Sequence, residues 1–468
     1  MNRQIDAPVF AIVSLLMLQV CAFAQLPTPT YGWNLGNTLE PPGGEGSWGP
    51  PATQALINQV AKAGFNSIRI PCAWDSNANQ TNYQINPTFM ARVKQVVDWC
   101  YATNLYVIIN CHWDGGWLEN NITDTVDPTI NAKQDSYWTQ IANAFKNYDH
   151  RLLFAGCNEP NADTAAKTAT LLAYEQTFVN AVRATGGGNT SRWLVVQGPN
   201  TDIDLTDQFM NTLPNDPTPG RLMVEVHYYS PWNYTGMTSD ESWGNMFYYW
   251  GQGYHSTTDT AHNPTWGEEA YVNSEFQKMT AKFVNVGIPV MIGESGCGLR
   301  STLTEPALSL HIASRTYYHK YVADTARSVG IHPFVWTIQG GMFDWTTGAQ
   351  TDPDNVTALT GGPALPPPGS GPPPVPLPWI TQDIGTVGLS GTAGFTNSVF
   401  TLVGAGGDIQ GTADAFRFVY VTATGDCTII ARVVSVQNID QWSKAGVMVR
   451  ASLDAIFVQY IGVQVIPR

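Results

Sequence analysis

The sequence predicts an α/β protein, a (β/α)8 TIM barrel followed by a proline-rich linker and a small all-β module. Three observations support this prediction. Between residues 31 and 361, eight apolar runs of strand length alternate with longer stretches of helical period. The runs are apolar on both faces, as expected of parallel strands covered by helices. Beyond them the composition changes to Pro, Gly and Ser, and then to strand-like segments joined by Gly and Asn turns.

The eight strand candidates follow one another at intervals that leave room for a helix. They are GWNLGN (32–37), NSIRIPCAW (66–74), YVIINCHW (106–113), LLFAGCNEP (152–160), RWLVVQGPN (192–200), LMVEVHYY (222–229), PVMIGESG (289–296) and HPFVWTIQ (332–339). Eight strand–helix repeats in roughly 330 residues suit a barrel that carries insertions. A doubly wound open sheet is the alternative, but no glycine-rich phosphate loop follows the first strand.

Helix signals occur between these runs. Asn86 is a suitable N-cap, and Pro87 suits the first helical position of the stretch that follows it. A helix before Gly64 and another within residues 164–188 end in glycine, as helix C-termini often do. Further helices are expected near residues 133–147, 268–286 and 306–329, with a short last one near residues 352–361.

The first 24 residues have the pattern of a secretory signal peptide. They contain a basic Arg3, an apolar run that is too short to span a bilayer, and Ala-Phe-Ala before the expected cleavage after Ala24. A lipoprotein signal through Cys21 is the alternative, but Val20 is a poor small residue for that processing. No later segment approaches the roughly 18 uninterrupted apolar residues of a membrane helix. We therefore expect a secreted, extracellular protein that does not enter membranes.

The remaining chain divides by composition into a barrel domain (residues 25–360), a Pro/Gly-rich linker (361–378) and an all-β module (379–468). The linker cannot bury a core, so it is expected to be an extended, semi-rigid spacer. The module ends at VIPR, with no turn or polar tail after its last strand candidate. It is therefore expected to be either a truncated β-sandwich or a small complete one.

Charge and cysteine content limit the function classes. The net charge of −14 and the absence of Lys/Arg clusters argue against nucleic-acid binding, so a neutral ligand is the better expectation. Six cysteines remain after removal of the signal peptide, and their spacing fits neither a disulfide-dense domain nor a CxxC metal pair. Most are expected to be small buried core residues, although a Cys72–Cys111 bridge between neighbouring strands remains open.

Polar residues follow the apolar runs at the positions where a barrel places its active site, the C-terminal ends of the strands. They are Asn34, Asn37, Arg69, His112, Asp114, Asn158, Glu159, Gln197, Asn200, His227, Tyr229, Glu294 and Trp336. Glu159 and Glu294 would face each other across one cleft. Two facing carboxyl groups are the arrangement needed for glycoside hydrolysis, in which one protonates the leaving oxygen and the other attacks the anomeric carbon or activates water.

At these motifs the chain resembles glycoside hydrolase family 5, the cellulase family of clan A. The matching segments within residues 31–361 are GWNLGNTLE, RIPCAW, VIINCHWD, LLFAGCNEPN, VEVHYY, VMIGESG and FVWTIQ. The resemblance implies a retaining endo-β-1,4-glucanase that acts on β-linked polysaccharide without metal or cofactor. Mannan, xyloglucan or mixed-linkage glucan are alternative substrates. A noncatalytic glycan-binding barrel is the alternative from another class, and a monomer is expected.

The resemblance also implies roles for individual residues. Glu159 matches the family's general acid/base, Glu294 its nucleophile, and Asn158 the residue that binds the sugar 2-hydroxyl. Arg69 and Tyr229 match the neighbours of the nucleophile. Arg69 should lower the pKa of Glu294, whereas burial and a negative neighbour should raise the pKa of Glu159. An ordinary structural ion pair is the alternative for Arg69.

Two histidines and one tryptophan complete the reacting subsite that the resemblance implies. His112 and His227 match the histidines that line it, and Trp336 matches its floor. Core packing is the alternative for all three. Many relatives have a second histidine after His112 where this chain has Trp113, so the details of the subsite are expected to differ there.

Other residues near the cleft are weaker candidates. Trp33 and Trp48 are expected to be sugar platforms, since sugar rings stack on aromatic faces, and Asn37 is expected to contact substrate. Asp114 and Glu119 are expected to be solvated loop residues or peripheral sugar contacts.

Two more regions have open interpretations. The insertion at residues 230–267 contains nine Trp, Tyr and Phe residues, of which most should form its own small core and some the walls of a glycan cleft. The C-terminal module resembles lectin-like β-sandwich domains of secreted bacterial glycosidases through GTADAFRFVY and WSKAGVMVR. Carbohydrate attachment and a folding or spacing role are both open for it.

Overall fold

The structure is a computed structural model that describes residues 30–362 as a continuous stretch. Beyond it, the described residues are 364–365, 375–376, 378–388, 391–396, 398–407, 409–410, 413–437, 443–453 and 460–465. The predicted signal peptide and most of the predicted linker lie outside the described residues.

Eight parallel strands close into a barrel in sequence order, which confirms the predicted fold class. They are β1 (Gly32–Asn34), β2 (Ser67–Ile70), β3 (Tyr106–Asn110), β4 (Leu152–Ala155), β5 (Leu194–Gln197), β6 (Leu222–Tyr228), β7 (Val290–Ser295) and β8 (Ile331–Val335). The barrel closes because β1 pairs with both β2 and β8. Most predicted runs continue beyond the strand itself, so that their polar ends form the loops at the barrel mouth.

Helices connect the strands. They are α1 (Gln54–Lys62), α2 (Pro87–Ala102), α3 (Pro128–Phe145), α4 (Ala165–Ala184), α5 (Ile203–Phe209), α6 (Trp232–Thr235), α7 (Glu269–Lys282), α8 (Ala307–Ser328) and α9 (Pro353–Leu359). As predicted, the Asn86 side chain accepts from Thr88 N–H and Pro87 begins α2. Helix α3 begins earlier than predicted, because Asp127 caps it and Pro128 occupies its first position.

The strands are buried on both faces, as their continuous apolar sequences require. One core lies between the strands and the helices, and it includes Val93, Trp138 and Phe178. A second, smaller core includes Ile108 of β3, Leu153 of β4, Met223 of β6 and Met291 of β7. These closely packed layers hold the strand ends, and the side chains on them, in fixed positions.

The chain forms two compact units. Among the described residues, the first unit contains the barrel strands and comprises 30–247, 264–299 and 318–362, and the second comprises 248–263, 300–317 and the described residues from 364 onward. The described tail has antiparallel strand pairs, as the all-β prediction requires: 380–384 with 416–420, 392–396 with 399–403, 409–410 with 413–414, and 445–450 with 460–465. These separate pairs do not establish a lectin-like sandwich, and the predicted domain boundaries stay predictions.

Two further observations concern the cysteines and the length of the helices. Cys72, Cys111 and Cys157 are buried core residues, and the bridge that was left open between Cys72 and Cys111 does not form. None of the helices in the described residues is long and apolar enough to cross a membrane.

Candidate active site

Arg69 is the centre of a buried polar network at the mouth of the barrel. Its side chain lies on β2 and is fully buried. Its Nη1 donates to Glu294 Oε1 at 3.0 Å and to Asn34 Oδ1 at 3.1 Å, and its Nη2 donates to Asn158 Oδ1 at 2.7 Å. Its Nε lies 3.0 Å from Glu225 Oε1, and the two groups form an ion pair. The N–H of this nitrogen does not point at the oxygen, so the contact is not a hydrogen bond. One guanidinium on β2 thus joins residues on β1, β6 and β7 and Asn158 after β4.

Glu294 lies near the end of β7 and is held from two sides. Arg69 contacts its Oε1, and the Tyr229 hydroxyl donates to its Oε2 at 3.0 Å. The side chain is only 8% exposed. A β-bulge contributes to this placement: the β6–β7 register shifts between Val226 and His227, so that His227 lies opposite Glu294. Bulges of this kind re-aim side chains beside functional sites.

Glu159 follows the end of β4 and differs from Glu294 in exposure. Its side chain is 47% exposed, and its Oε1 lies 2.7 Å from His227 Nδ1. Its backbone N–H donates to the buried carboxylate of Glu119 at 2.8 Å. One carboxylate at this mouth is therefore open to solvent, whereas the other is enclosed.

The two carboxylates are close together. An oxygen of Glu159, an oxygen of Glu294 and a ring nitrogen of His227 all lie within 4.8 Å of one another. These are donor types that also bind divalent metals. However, His227 Nδ1 is already bonded to Glu159, and Glu294 is bonded to Arg69 and Tyr229. The hydrogen bonds therefore favour proton sharing within the cluster over metal binding.

The pKa shifts of the two glutamates are opposite to those expected from the sequence. Burial tends to raise the pKa of Glu159, but the hydrogen bond to His227 and the positive charges of His227 and Arg69 outweigh it, so the pKa is lowered. Burial raises the pKa of Glu294 by more than His227 and Arg69 lower it, and the Glu159 charge adds to the rise. The expectation was wrong because it omitted the imidazole beside Glu159 and the burial of Glu294.

His227 is the group that reverses the shift expected for Glu159. Burial disfavours its charged form, but the negative charge of Glu294 and the hydrogen bonds to Glu159 and Glu225 raise its pKa to about 10. In the free protein the imidazolium therefore pairs with an ionised Glu159.

His112 and Trp336 form a stacked pair, with ring centroids 5.8 Å apart and planes 8° from parallel. The Asn110 amide lies 3.2 Å from His112 Nδ1, which makes Nδ1 the acceptor and leaves the hydrogen on Nε2. Burial and the positive charge of Arg69 lower the pKa of His112. This histidine is therefore a neutral donor.

One predicted sugar platform is wrong. Trp33 is fully buried and packs edge-on against Phe343 and Trp345 in the core. On β1 it is Asn34, one residue later, whose side chain reaches Arg69. Neighbouring strand residues point to opposite sides, so only one of the two can face the cleft. Trp48 is exposed, as a platform would need to be.

Asn37 is partly buried in a turn, with φ of 58° and its N–H donated to Glu40. Its contact with substrate stays a prediction.

Glu119 and Asp114 are both buried, so neither is a solvated loop residue, and the other expectation, a peripheral sugar contact, stays a prediction. Asp114 accepts from the N–H of Ser76 at 3.0 Å. Glu119 accepts from Glu159, and burial raises its pKa to about 8. Their burial comes from the fold of the β3 loop against distant strand ends, for which the sequence carries no local signal.

Glu225 was not identified from the sequence. It lies on β6, is fully buried, and contacts Arg69, His227 and Gln197. One signal was available: residues two apart on a strand share a face, so Glu225 faces the same side as His227.

The insertion after β6 is divided as expected between buried and exposed aromatic residues. Tyr234, Phe247, Tyr249, Trp250 and Tyr254 are buried, whereas Trp232, Trp243 and Trp266 are exposed.

Comparisons with known proteins agree with this geometry. Residues 34–341 match the family model described as cellulase, glycosyl hydrolase family 5. The chain is 38% identical over 333 residues to endoglucanase A of Paenibacillus barcinonensis, which covers 65% of this chain and 79% of that protein. It is 35% identical to a xyloglucan-specific endo-β-1,4-glucanase of Bacteroides ovatus, over 71% of this chain and 68% of the other.

A solved structure is similar as well. It is a family 5 xyloglucan-specific β-1,4-glucanase from a ruminal metagenomic library, determined in complex with XXLG. The superposition has a TM-score of 0.65 and 40% sequence identity, and it covers 72% of this chain and 95% of that one.

Proposed function

This chain belongs to the cellulase family, glycosyl hydrolase family 5, and from that membership we propose that it is an endo-β-1,4-glucanase that hydrolyses β-glucan with retention of configuration. The observation that carries the proposal is the separation of the two carboxylates, which have oxygens within 4.8 Å of each other. Retaining glycosidases place their carboxyl groups about 5 Å apart, whereas inverting enzymes leave roughly 6.5–9.5 Å for a water molecule.

In the first step of the proposed reaction, Glu294 attacks the anomeric carbon while Glu159 protonates the departing glycosidic oxygen. Arg69 and Tyr229 support this assignment, because they orient both oxygens of Glu294 and stabilise its charge. The exposure of Glu159 supports its role, since a proton donor must reach the leaving oxygen. In the second step Glu159 takes a proton from a water molecule whose oxygen attacks the anomeric carbon, and the bond from that carbon to Glu294 breaks, which releases the carboxylate.

Asn158 and the stacked pair are the proposed sugar contacts. Asn158 is fixed through its Oδ1 by Arg69, which leaves its amide N–H groups for a sugar hydroxyl. Trp336 and His112 offer a flat apolar surface and a neutral N–H donor, a combination that suits a pyranose ring. The proposed partner is therefore a neutral β-linked polysaccharide.

Xyloglucan is the second candidate substrate, because two of the similar proteins are named as xyloglucan-specific. Unsubstituted β-1,4-glucan is the first, in line with the endoglucanase relative. Hydrolysis rates on soluble cellulose derivative, barley β-glucan, xyloglucan and mannan would rank the two, and activity confined to mannan would contradict both.

The function is tested by Glu294→Gln and Glu159→Gln. Both variants should lose at least about 10³-fold in kcat on the preferred glucan. Glu275→Gln is the matched control, since Glu275 is a buried glutamate on α7 that is bonded to Lys278. Proton NMR of the first-formed anomer tests the stereochemistry. Undiminished hydrolysis by Glu294→Gln, or an inverted first product, would refute the mechanism.

The finer parts of the proposal concern the rest of the chain. We propose that residues 1–24 direct secretion, that the protein acts outside the cell as a monomer, and that residues 379–468 form a lectin-like accessory module. The antiparallel pairs of the tail support the last point. Binding to insoluble glucan should be measured for the intact protein and for a chain lacking residues 362–468. Weaker binding by the shorter chain would indicate carbohydrate attachment, and equal binding would indicate a spacing role.

A further inference from the structure

Glu225 is a buried carboxylate whose position does not fit a role in substrate contact. It is fully buried on β6, below His227 on the same strand face. Its Oε1 lies 3.0 Å from Arg69 Nε and 3.3 Å from His227 Nε2, and its Oε2 accepts from Gln197 Nε2 at 2.7 Å. Both oxygens are thus occupied by donors from the protein.

The surrounding backbone leaves space for this carboxylate. A Cβ at Gly293 would lie 1.8 Å from Glu225 Oε1, so any larger residue there would displace the carboxylate. Gly293 immediately precedes Glu294 and lies at the irregular register between β6 and β7. The bulge that brings Glu294 opposite His227 therefore also makes room for Glu225.

The contacts fix the orientation of His227. Burial alone would raise the pKa of Glu225, but the Arg69 charge and the His227 and Gln197 hydrogen bonds lower it overall, so the carboxylate is ionised and only accepts. His227 Nε2 must then carry a hydrogen. Its Nδ1 faces Glu159 Oε1 at 2.7 Å, and one proton lies between these two atoms, on either the imidazole or the carboxyl group.

We propose that Glu225 is a positioning residue for the general acid: it holds the Nε2–H of His227, so that His227 Nδ1 and Glu159 Oε1 share the proton that Glu159 delivers to the glycosidic oxygen. The inference rests on the proposed hydrolase function. In the first step the proton moves from His227 Nδ1 to Glu159 and then to the leaving oxygen, which departs as an alcohol. In the second step Glu159 accepts a proton from the attacking water and returns it to His227.

The charges around His227 set the direction of the pH effect. The titratable and charged groups that face it come from several elements, namely Arg69 on β2, Glu119 in the β3 loop, Glu159 after β4, Glu225 on β6 and Glu294 on β7, with the neutral His112 after β3. Removing the Glu225 charge withdraws one anion that favours the imidazolium. The shared proton should then be lost at a lower pH.

The test compares Glu225→Gln with the wild type on two aryl cellobiosides. Phenyl cellobioside has a poor leaving group that requires protonation, whereas 2,4-dinitrophenyl cellobioside does not. Glu225→Gln should lose about 10- to 100-fold in kcat/KM on the first and less than about 3-fold on the second. The alkaline limb of its pH profile on phenyl cellobioside should shift down by about one pH unit. Glu275→Gln is the control for removal of a buried carboxylate, and it should leave kcat/KM on both cellobiosides unchanged.

Equal losses on both substrates with an unmoved alkaline limb would overturn the proposal, because they would indicate that Glu225 acts through Arg69 and Glu294 or only on folding.

A second measurement on the wild-type protein does not depend on the variant folding. The 15N shifts of the His227 ring, assigned with His227→Gln, should show Nε2 protonated at neutral pH, and a neutral Nδ1–H tautomer would refute the inference.

These results separate the inference from the proposed function. A wild-type protein that hydrolyses no β-glucan and neither cellobioside would refute both. An active wild type with a leaving-group-independent Glu225→Gln defect would refute the inference alone.

Discussion

The guanidinium of Arg69 contacts the Glu294 carboxylate at 3.0 Å, although the two residues are 225 positions apart in the chain. The same guanidinium holds Asn158, so the proposed nucleophile and the proposed sugar ligand depend on one planar group. A planar fork with several donors can hold both, whereas an ammonium group cannot reproduce its geometry.

Arg69→Lys should therefore lower kcat by about 100-fold, roughly 2.7 kcal/mol of transition-state stabilisation, while the protein still folds. Arg183→Lys is the matched control, because Arg183 is also buried and paired with a carboxylate, that of Asp216. The control should lose stability without loss of kcat. Steady-state kinetics and thermal melts of both variants make the comparison, and similar kcat values would contradict the prediction.

Tyr229→Phe should reduce kcat by about 10-fold, because it removes one hydrogen bond to Glu294. That hydrogen bond lowers the pKa of Glu294, so its loss lets Glu294 keep its proton to a higher pH. The acidic limb of the pH–rate profile should consequently move upward. Tyr228→Phe is the control, since the buried Tyr228 hydroxyl makes no hydrogen bond within the described part of the chain. An acidic limb that stays in place would exclude this role of Tyr229.

Trp336→Ala should raise KM by about 10-fold and lower kcat by less, because it removes the aromatic face on which the sugar is proposed to rest. Trp336→Phe should restore much of the loss. Gly36→Ala should produce a smaller defect of the same kind, because a Cβ there would lie 2.6 Å from the Thr337 carbonyl oxygen and 2.7 Å from the Trp336 ring and would displace both. Kinetics on a soluble glucan measure all three, and an unchanged KM in Trp336→Ala would contradict the assignment.

Glu119→Gln should flatten the pH dependence of stability. The pKa of buried Glu119 is raised to about 8, so between pH 4.5 and 8 the folded state binds more protons than the unfolded state. Stability then falls as pH rises through that window, by up to about 1.4 kcal/mol per pH unit for one proton. Urea unfolding at pH 5 and pH 8 tests this. The drop should be smaller in the variant, and equal drops would show that Glu119 does not titrate there.

Deletion of residues 362–468 should leave activity on soluble glucan unchanged, because every residue of the proposed site precedes the deletion. Circular dichroism and kinetics of the shortened chain are the measurements. Loss of folding would place the domain boundary elsewhere.

Much of the fold was predictable because its signals are local. Apolar runs such as LLFA and VMI indicate strands buried on both faces, and Asn86 can cap its helix without a distant partner. Once eight such strands close in order, their polar ends must meet at one mouth. The convergence of Glu159 and Glu294 followed from this reasoning.

The side-chain environments were not predictable, because they depend on distances between residues far apart in the chain. Because the strand is buried on both faces, its sequence does not show which of Trp33 and Asn34 points into the barrel. Glu225 is tolerated in the core because Arg69 and His227 compensate its charge there.

The sequence by itself thus determined the barrel, its order of strands and the two glutamates at its mouth, since hydrophobic periodicity and strand-end position are properties of short segments. The tertiary structure decided the charge state of those glutamates. Their pKa shifts are the sum of burial and of contacts with Arg69 and His227. Electrostatic energies at a few ångströms depend on the closed barrel and not on any one segment of it.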